Sequence, residues 1–174
     1  VYRTTTINNR VWMAENLDYA YYFKSARSFC YQNDTAYCTK YGRLYTWSAA
    51  MDSVGAFSND SKLCGLRSKS NCKPAEVVQG MCPEGWHLPN RAEWNELFYY
   101  IGGYNTQKLK AKQGWDGSEG TDDFEFSMLA AGTRTTKAEF TTEKEIAYFW
   151  TSDKEEVATV TTSGVVTAKG NGTA

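Results

Sequence analysis

The stretch at residues 82–97, C-P-E-G-W-H-L-P-N-R-A-E-W-N-E-L, changes character at its midpoint. Pro83 and Pro89 fix φ and lack a backbone donor, and each biases the residue before it away from the helical region. The first half of the stretch is therefore predicted to be extended and turned, not helical.

The second half of this stretch carries the start of a helix. Asn90 is a good N-cap, and Glu93 stands three residues later, where the acid of a capping box belongs. The glycine pair at 102–103 is expected to end the helix. Apolar residues follow the cap at helical spacing: Trp94, Leu97, Phe98 and Ile101.

Tryptophans make this region a nucleus of the fold. The turn supplies Trp86 and the helix supplies Trp94, and burying each such side chain is worth roughly 1.5 to 3 kcal/mol. We assign the same structural role to Trp12 and Trp47. The region is interpreted as a structural centre, not a reaction centre.

Other elements are predicted on either side of this centre. Asn8 and Asn9 can adopt the positive φ values of a tight hairpin, which predicts a hairpin near the N-terminus. The spacing of apolar residues in 41–51 predicts a short helix with Leu44, Trp47 and Met51 on one face. Further predictions are a short helix at 107–113, strands at 124–129 and 146–150, and a hairpin formed by 157–160 and 165–168.

Four sequence blocks together resemble the Fibrobacter succinogenes major paralogous domain. They are V-W-M-A-E-N-L (11–17), Y-G-R-L-Y-T-W-S-A-A-M (41–51), C-P-E-G-W-H-L-P-x-x-x-E-W from residue 82, and G-T-D-D-F-E-F-S-M-L-A-A-G-T-R (120–134). Their order and spacing agree with that family over residues 1–152. The family is found in secreted or lipid-anchored surface proteins of Bacteroidetes and Fibrobacteres.

The resemblance also implies a fold. The L-P-x-x-x-E-W segment is similar to that of the formylglycine-generating-enzyme branch of C-type-lectin-like folds. The implied class is α+β and C-type-lectin-like, loop-rich, with two short helices and small antiparallel sheets, stabilised by disulfides.

The end of the chain departs from that family's pattern. After Trp150 the sequence resembles the second half of a bacterial Ig-like group 2 module, with the pattern V-A-T-V-x-x-x-G-x-V-T-A. We therefore expect a domain over residues 1–150, followed by a β-hairpin tail over 151–174.

Composition narrows the classes of partner. The 174 residues include 19 basic and 20 acidic ones, for a net charge of −1, so there is no electrostatic footprint for nucleic acid or an anionic membrane. No apolar run approaches the roughly 20 residues of a transmembrane helix. If the protein is exported, we expect its leader and any lipid-anchoring cysteine to precede Val1.

The five cysteines suggest two local disulfides. Cys30 and Cys38 have the same short separation as Cys64 and Cys72, and both pairs lie in polar, loop-like sequence. Spacing alone does not fix the pairing, and five reduced thiols in a cytosolic protein are the alternative. Disulfides would place the protein in an oxidising compartment, extracellular or at the bacterial cell surface. Cys82 is left over and is predicted to be a free thiol.

A catalytic role has little support in the sequence. His87 is the only histidine in the sequence. A histidine metal cluster is therefore impossible, and any histidine-dependent catalytic system would have to use this one residue as its base. A packed or capping role is favoured for His87. We predict that the protein is not an enzyme and has no cofactor. A weak calcium alternative rests on carboxylates in a glycine-rich loop: Asp116, Glu119, Asp122 and Asp123.

Aromatic residues make up 15% of the chain, and some of these rings must be exposed. Exposed rings beside polar groups are what carbohydrate and protein recognition use. The main hypothesis is a non-enzymatic recognition or adhesion module that binds a glycan or a protein, and the alternative is a structural spacer or stalk in a larger surface protein. The candidate ligand-binding residues are Tyr21, Tyr22, Tyr104, Trp115 and Asp116.

Overall fold

The structure is a computed structural model that describes residues 1–65, 72–149, 151, 158–160 and 166–168. Within these residues the fold is α+β, with short helices, small antiparallel sheets and two disulfides. The α-helices are α1 (Thr35–Tyr41), α2 (Trp47–Ala50) and α3 (Arg91–Tyr100), and 3-10 turns lie at Tyr31–Asn33 and Thr106–Lys108.

The strands are short and pair mostly with their neighbours in sequence. β1 (Thr4–Ile7) pairs with β2 (Arg10–Met13), and β4 (Ala26–Phe29) lies between β3 (Tyr22–Phe23) and β5 (Leu44–Tyr45). Two further antiparallel pairs are β6 (Thr133–Arg134) with β7 (Phe140–Thr141), and β8 (Ala158–Val160) with β9 (Val166–Ala168). Loops therefore make up much of the described chain.

The N-terminal hairpin forms as predicted. Asn8 and Asn9 have φ values of 49° and 61°, the left-handed pair that a two-residue hairpin turn requires. Ile7 and Trp12 from the two strands are both buried. The hairpin thereby presents an apolar face to the rest of the domain.

The central turn and helix also match the prediction. Pro83 O accepts the Trp86 N–H at 3.0 Å, and Gly85 between them has φ +82°, so the proline segment forms a tight turn. Asn90 then caps α3 by accepting the Glu93 N–H at 3.0 Å, while Glu93 accepts the Asn90 N–H at 2.9 Å. This reciprocal pair is the predicted capping box.

The largest core cluster joins the hairpin to α3. The Trp12 and Trp94 ring centroids lie 5.2 Å apart, so two of the four predicted structural tryptophans pack on each other. Trp47 borders a separate cluster of Met51, Cys64 and Val78. The residues of the largest cluster are Ile7, Trp12, Leu97, Ile101, Leu109 and Phe126.

The predicted helix at 41–51 is wrong in extent. Gly42 has φ +71° and ends α1, Leu44 belongs to β5, and Thr46 caps a single helical turn at α2. The apolar residues do recur at helical spacing, but Gly42 and strand β5 interrupt the segment. Helix α1, which was not predicted, is capped by Asp34, whose side chain accepts the Ala36 N–H at 2.9 Å.

The predictions for the later segments also need correction. Residues 124–129 form no strand, because Glu125 and Ser127 both have φ of 54°. The apolar residues of this segment still reach the core, since Phe126 is buried in the largest cluster and Phe124 and Met128 pack against it. Residues 146–149 form no strand, and the helix predicted at 107–113 is only the 3-10 turn Thr106–Lys108.

Both disulfides pair as expected. Cys30 bonds to Cys38 and Cys64 bonds to Cys72, each across 8 residues, and Cys82 is the free thiol. Each bridge closes a short loop and is worth about 2 to 3 kcal/mol on the chain-entropy account.

The tail contains the predicted hairpin as far as it is described. β8 and β9 pair with each other with Val160 opposite Val166. Val157 and Val165, the first residues of the two predicted strands, lie outside the described residues. The division of the chain at residue 150 stays a prediction.

Loss of the helix cap should cost measurable stability. We expect Asn90→Ala to lower the free energy of unfolding by about 1 kcal/mol, because the Glu93 N–H then loses its acceptor. Asn95→Ala, at an exposed position of the same helix, is the matched control and should be neutral or slightly stabilising. Urea denaturation measures both, and equal effects of the two substitutions would contradict the capping role.

Candidate functional site

Two adjoining cavities lie on the side of the domain formed by the N-terminal segment and the turn before α3. The Tyr19 cavity has a volume of about 600 Å³, and its lining includes Tyr2, Leu17, Tyr19, Phe57, Gln79 and Glu84. The Trp86 groove has a volume of about 490 Å³, and its lining includes Arg10, Trp12, Trp86, His87, Glu93 and Phe149. Leu17 and Cys82 line both.

A buried carboxylate positions the Phe57 ring. Asp52 is 0% exposed, and its oxygens accept the N–H groups of Ala56, Phe57 and Ser58 at 3.0, 2.6 and 3.1 Å. The Tyr21 hydroxyl donates a further hydrogen bond to this carboxylate. Loop 52–58 is thereby folded around Asp52, and these donors supply the hydrogen bonds that the buried carboxylate needs.

Tyr21, a predicted ligand-binding residue, belongs instead to this support. Its side chain is 1% exposed, and burial together with the neighbouring Asp52 raises the pKa of Tyr21, which keeps the hydroxyl protonated as a donor. The Phe57 ring packs on it at a centroid distance of 6.1 Å.

The Tyr19 ring is placed through its own backbone. The Tyr45 hydroxyl accepts the Tyr19 N–H at 3.0 Å and lies 2.9 Å from the carbonyl oxygens of Leu17 and Tyr19. Burial raises the pKa of Tyr45, so this hydroxyl stays a donor. The Tyr19 and Phe57 rings then meet edge to face, with centroids 5.4 Å apart and planes at 82°.

Two polar groups of the Tyr19 cavity are already engaged within the protein. The Gln79 amide donates from Nε2 to the Cys82 carbonyl at 3.0 Å, and the Tyr2 hydroxyl accepts the Asp18 N–H at 3.1 Å. Glu84 stands at the tip of the proline turn and forms no ion pair with any described residue. Among the described residues that line the cavity, Glu84 supplies the one carboxylate.

The Trp86 groove has a charged rim built around Glu93. This carboxylate is 8% exposed and contacts His87 Nε2 at 2.9 Å and the Arg10 guanidinium at 3.0 Å, besides its capping bond. Arg10 also pairs with Glu96 at 2.8 Å. Because Glu93 already accepts from three donors, these contacts hold the structure together and leave little capacity for a ligand.

Cys82 is a poor nucleophile in this setting. Burial raises the pKa of its thiol to about 12, so the thiolate is scarce at neutral pH. His87, the only histidine of the sequence, is bound to Glu93. Glu93 therefore binds both the helix cap and His87, and a purely structural role for His87 stays a prediction.

None of the candidate ligand-binding residues lines the Tyr19 cavity or the Trp86 groove. Tyr22 and Tyr104 are 68% and 79% exposed, as expected of ligand-binding rings, and Asp116 is also exposed. The expectation of exposure is wrong for Tyr21 and for Trp115, which is 8% exposed beneath the Lys110 ammonium. Both rings are fixed by contacts within the protein.

The calcium alternative gains no support from the geometry. Asp122 accepts the backbone N–H and the hydroxyl of Ser127 at 2.7 and 2.8 Å, which accounts for its carboxylate as part of a turn. Across the described part of the chain, no three histidine, cysteine or acidic residues are grouped so as to hold a metal ion.

Sequence reasoning missed Tyr19, Phe57 and Asp52. Phe57 lies in the long polar segment that begins after Asp52, and its ring depends on hydrogen bonds to a residue five positions earlier. The sequence did contain a signal for Asp52. An acidic residue directly before a Ser-, Gly- and Asn-rich loop often accepts hydrogen bonds from the N–H groups of that loop.

Comparison with known proteins gives one finding. The sequence model of the Fibrobacter succinogenes major domain family matches residues 5–170. No curated protein and no solved structure matches the chain significantly. Within its described residues, the chain has no helix with both the length and the apolar character of a membrane span.

The state of Cys82 can be tested by thiol labelling. At pH 8 we expect the folded protein to react with iodoacetamide on the order of a thousandfold more slowly than the protein in urea, because its thiol pKa is about 12 in the fold. The rate should rise as the pH approaches that value. In urea without reductant, one thiol per chain should titrate. Equal rates in the two states, or more than one thiol, would contradict the assignment.

Proposed function

We infer the function of this chain from the premise that it belongs to the Fibrobacter succinogenes major domain family. We propose that it is a non-enzymatic recognition or adhesion module, displayed at a bacterial cell surface or secreted, with a glycan or a protein as its ligand. The Tyr19 cavity is the proposed binding site.

The observation that carries this proposal is the pair of half-exposed rings in an open cavity. Tyr19 is 48% exposed and Phe57 is 44% exposed, although the backbone N–H of each is held by a hydrogen bond to another side chain. Rigid exposed rings offer apolar contact area at low cost in conformational entropy, which is the usual basis of recognition surfaces. Their supports, Asp52 and Tyr45, keep the cavity preorganised.

The disulfides support the proposed location. Cys30–Cys38 and Cys64–Cys72 are bonds that persist in an oxidising environment such as the cell exterior. We further propose that the fold is C-type-lectin-like, of the formylglycine-generating-enzyme branch, on the strength of the L-P-x-x-x-E-W segment that forms the turn and cap of α3.

The proposal of a non-enzymatic role rests on the state of the reactive groups. The Cys82 thiol is protonated at neutral pH, and His87 and Glu93 bind each other and the helix cap. None of these groups is poised as an acid, base or nucleophile.

A spacer role is the second candidate, and the tail favours it. Strands β8 and β9 form the hairpin expected of the proposed Ig-like segment. Ig-like modules commonly occur in arrays, so further modules of this kind in the full-length protein would favour the spacer role over ligand binding.

Ligand screening with paired variants tests the recognition role. The immobilised domain should capture a defined glycan or surface protein, and Phe57→Leu should weaken that binding about tenfold through loss of the ring contact. Tyr99→Leu is the matched control, because Tyr99 is 87% exposed on α3 and does not line the cavity. No ligand in the screen, or equal loss with both variants, would contradict the proposed site.

A further inference from the structure

We propose that the Tyr19 cavity receives a basic side chain, lysine or arginine, of a partner protein. This inference rests on the proposed recognition function and specifies the chemistry of the ligand. It draws on the arrangement of the rings, the charge of the lining and the state of the cavity's polar groups.

The ring arrangement suits a cation. The planes of Tyr19 and Phe57 stand at 82° and form a corner, and the Tyr2 ring lines the same cavity. Aromatic faces attract ammonium and guanidinium groups through the ring quadrupole. Rings that meet nearly at right angles offer such a group more than one aromatic surface.

The charge of the lining has the matching sign. Among the described residues that line the cavity, Glu84 is the one with a charged side chain, and it lacks an ion-pair partner among them. A basic side chain would supply that partner, whereas an anionic ligand would meet repulsion without a compensating base.

The polar groups favour a cation over a sugar. A bound sugar needs several donors and acceptors for its hydroxyls. In this cavity the Gln79 amide donates to the Cys82 carbonyl and the Tyr2 hydroxyl accepts from Asp18, so part of the polar lining is already in use. Apolar ring area with one available carboxylate matches a lysine or arginine side chain better.

The protein places its own cations on rings elsewhere. Arg27 lies 4.6 Å from the Tyr22 ring centroid, and Lys40 lies 4.4 Å from that of Tyr41. Among the described residues no lysine or arginine covers Tyr19 or Phe57. These two rings are therefore open to a cation from another molecule.

The size of the cavity favours a side chain carried by a protein. Its volume of about 600 Å³ exceeds what a single small ammonium group fills and leaves room for flanking peptide. We therefore assign the cation to a protein partner and not to a free amine such as choline.

Peptide titration followed by NMR of the full chain tests the inference. We expect short lysine and arginine peptides to shift the signals of Phe57 and Glu84, and lysine acetylation to weaken binding at least about tenfold, since it removes the charge. Glu84→Gln should weaken binding severalfold and reduce its salt dependence. Glu76→Gln, at an exposed position outside the cavity, is the matched control and should leave binding unchanged.

The possible failures are distinguishable. Binding of choline but not of the peptides, equal binding of the acetylated peptide, or absence of peptide binding up to about 10 mM would overturn the inference. A neutral glycan that binds with Phe57-dependent affinity would overturn it while leaving the recognition function in place. No ligand of any class at the Tyr19 cavity would overturn both.

Discussion

The carboxylate of Glu93 is the interaction on which the rest of this domain depends. It is 8% exposed and accepts from the Asn90 backbone, from His87 and from Arg10, so one buried charge joins the helix, the proline turn and the N-terminal hairpin. A buried acid is tolerated only when such donors surround it. With the three segments tied, Trp12 reaches Trp94, and the largest core cluster closes around that pair.

A second buried carboxylate has a comparable role beside the adjoining Tyr19 cavity. Asp52 folds loop 52–58 around itself and receives the Tyr21 hydroxyl from a segment 31 residues away. The cavity rings are then carried by backbone that polar networks hold, even though the domain has little regular secondary structure. Two small disulfide loops add covalent constraint to other loops of the domain.

Local chemistry made part of this structure predictable from sequence. The Asn90 and Glu93 capping box, the Asn8 and Asn9 turn and both disulfides depend on residues close together in the chain, and all were predicted. The helix at 41–51 failed because apolar spacing does not register a glycine in a left-handed conformation. The cavity was missed because its geometry comes from long-range contacts, such as Tyr45 holding Tyr19, that no local pattern encodes. For the same reason the sequence could not show that Tyr21 faces inward.

The role of Glu93 as the junction is tested most directly by a double-mutant cycle with Arg10, measured by urea denaturation. The cycle compares Arg10→Ala, Glu93→Gln and the double variant, and we expect a coupling free energy of about 1 to 2 kcal/mol. This energy is smaller than that of a fully buried ion pair, because the Arg10 side chain is half exposed and water screens the interaction. Each single variant should be less stable than the parent, and the double variant should lose less than the sum of the two losses. Losses that add to within about 0.3 kcal/mol would show that hairpin and helix are not joined through this carboxylate, and would contradict the account.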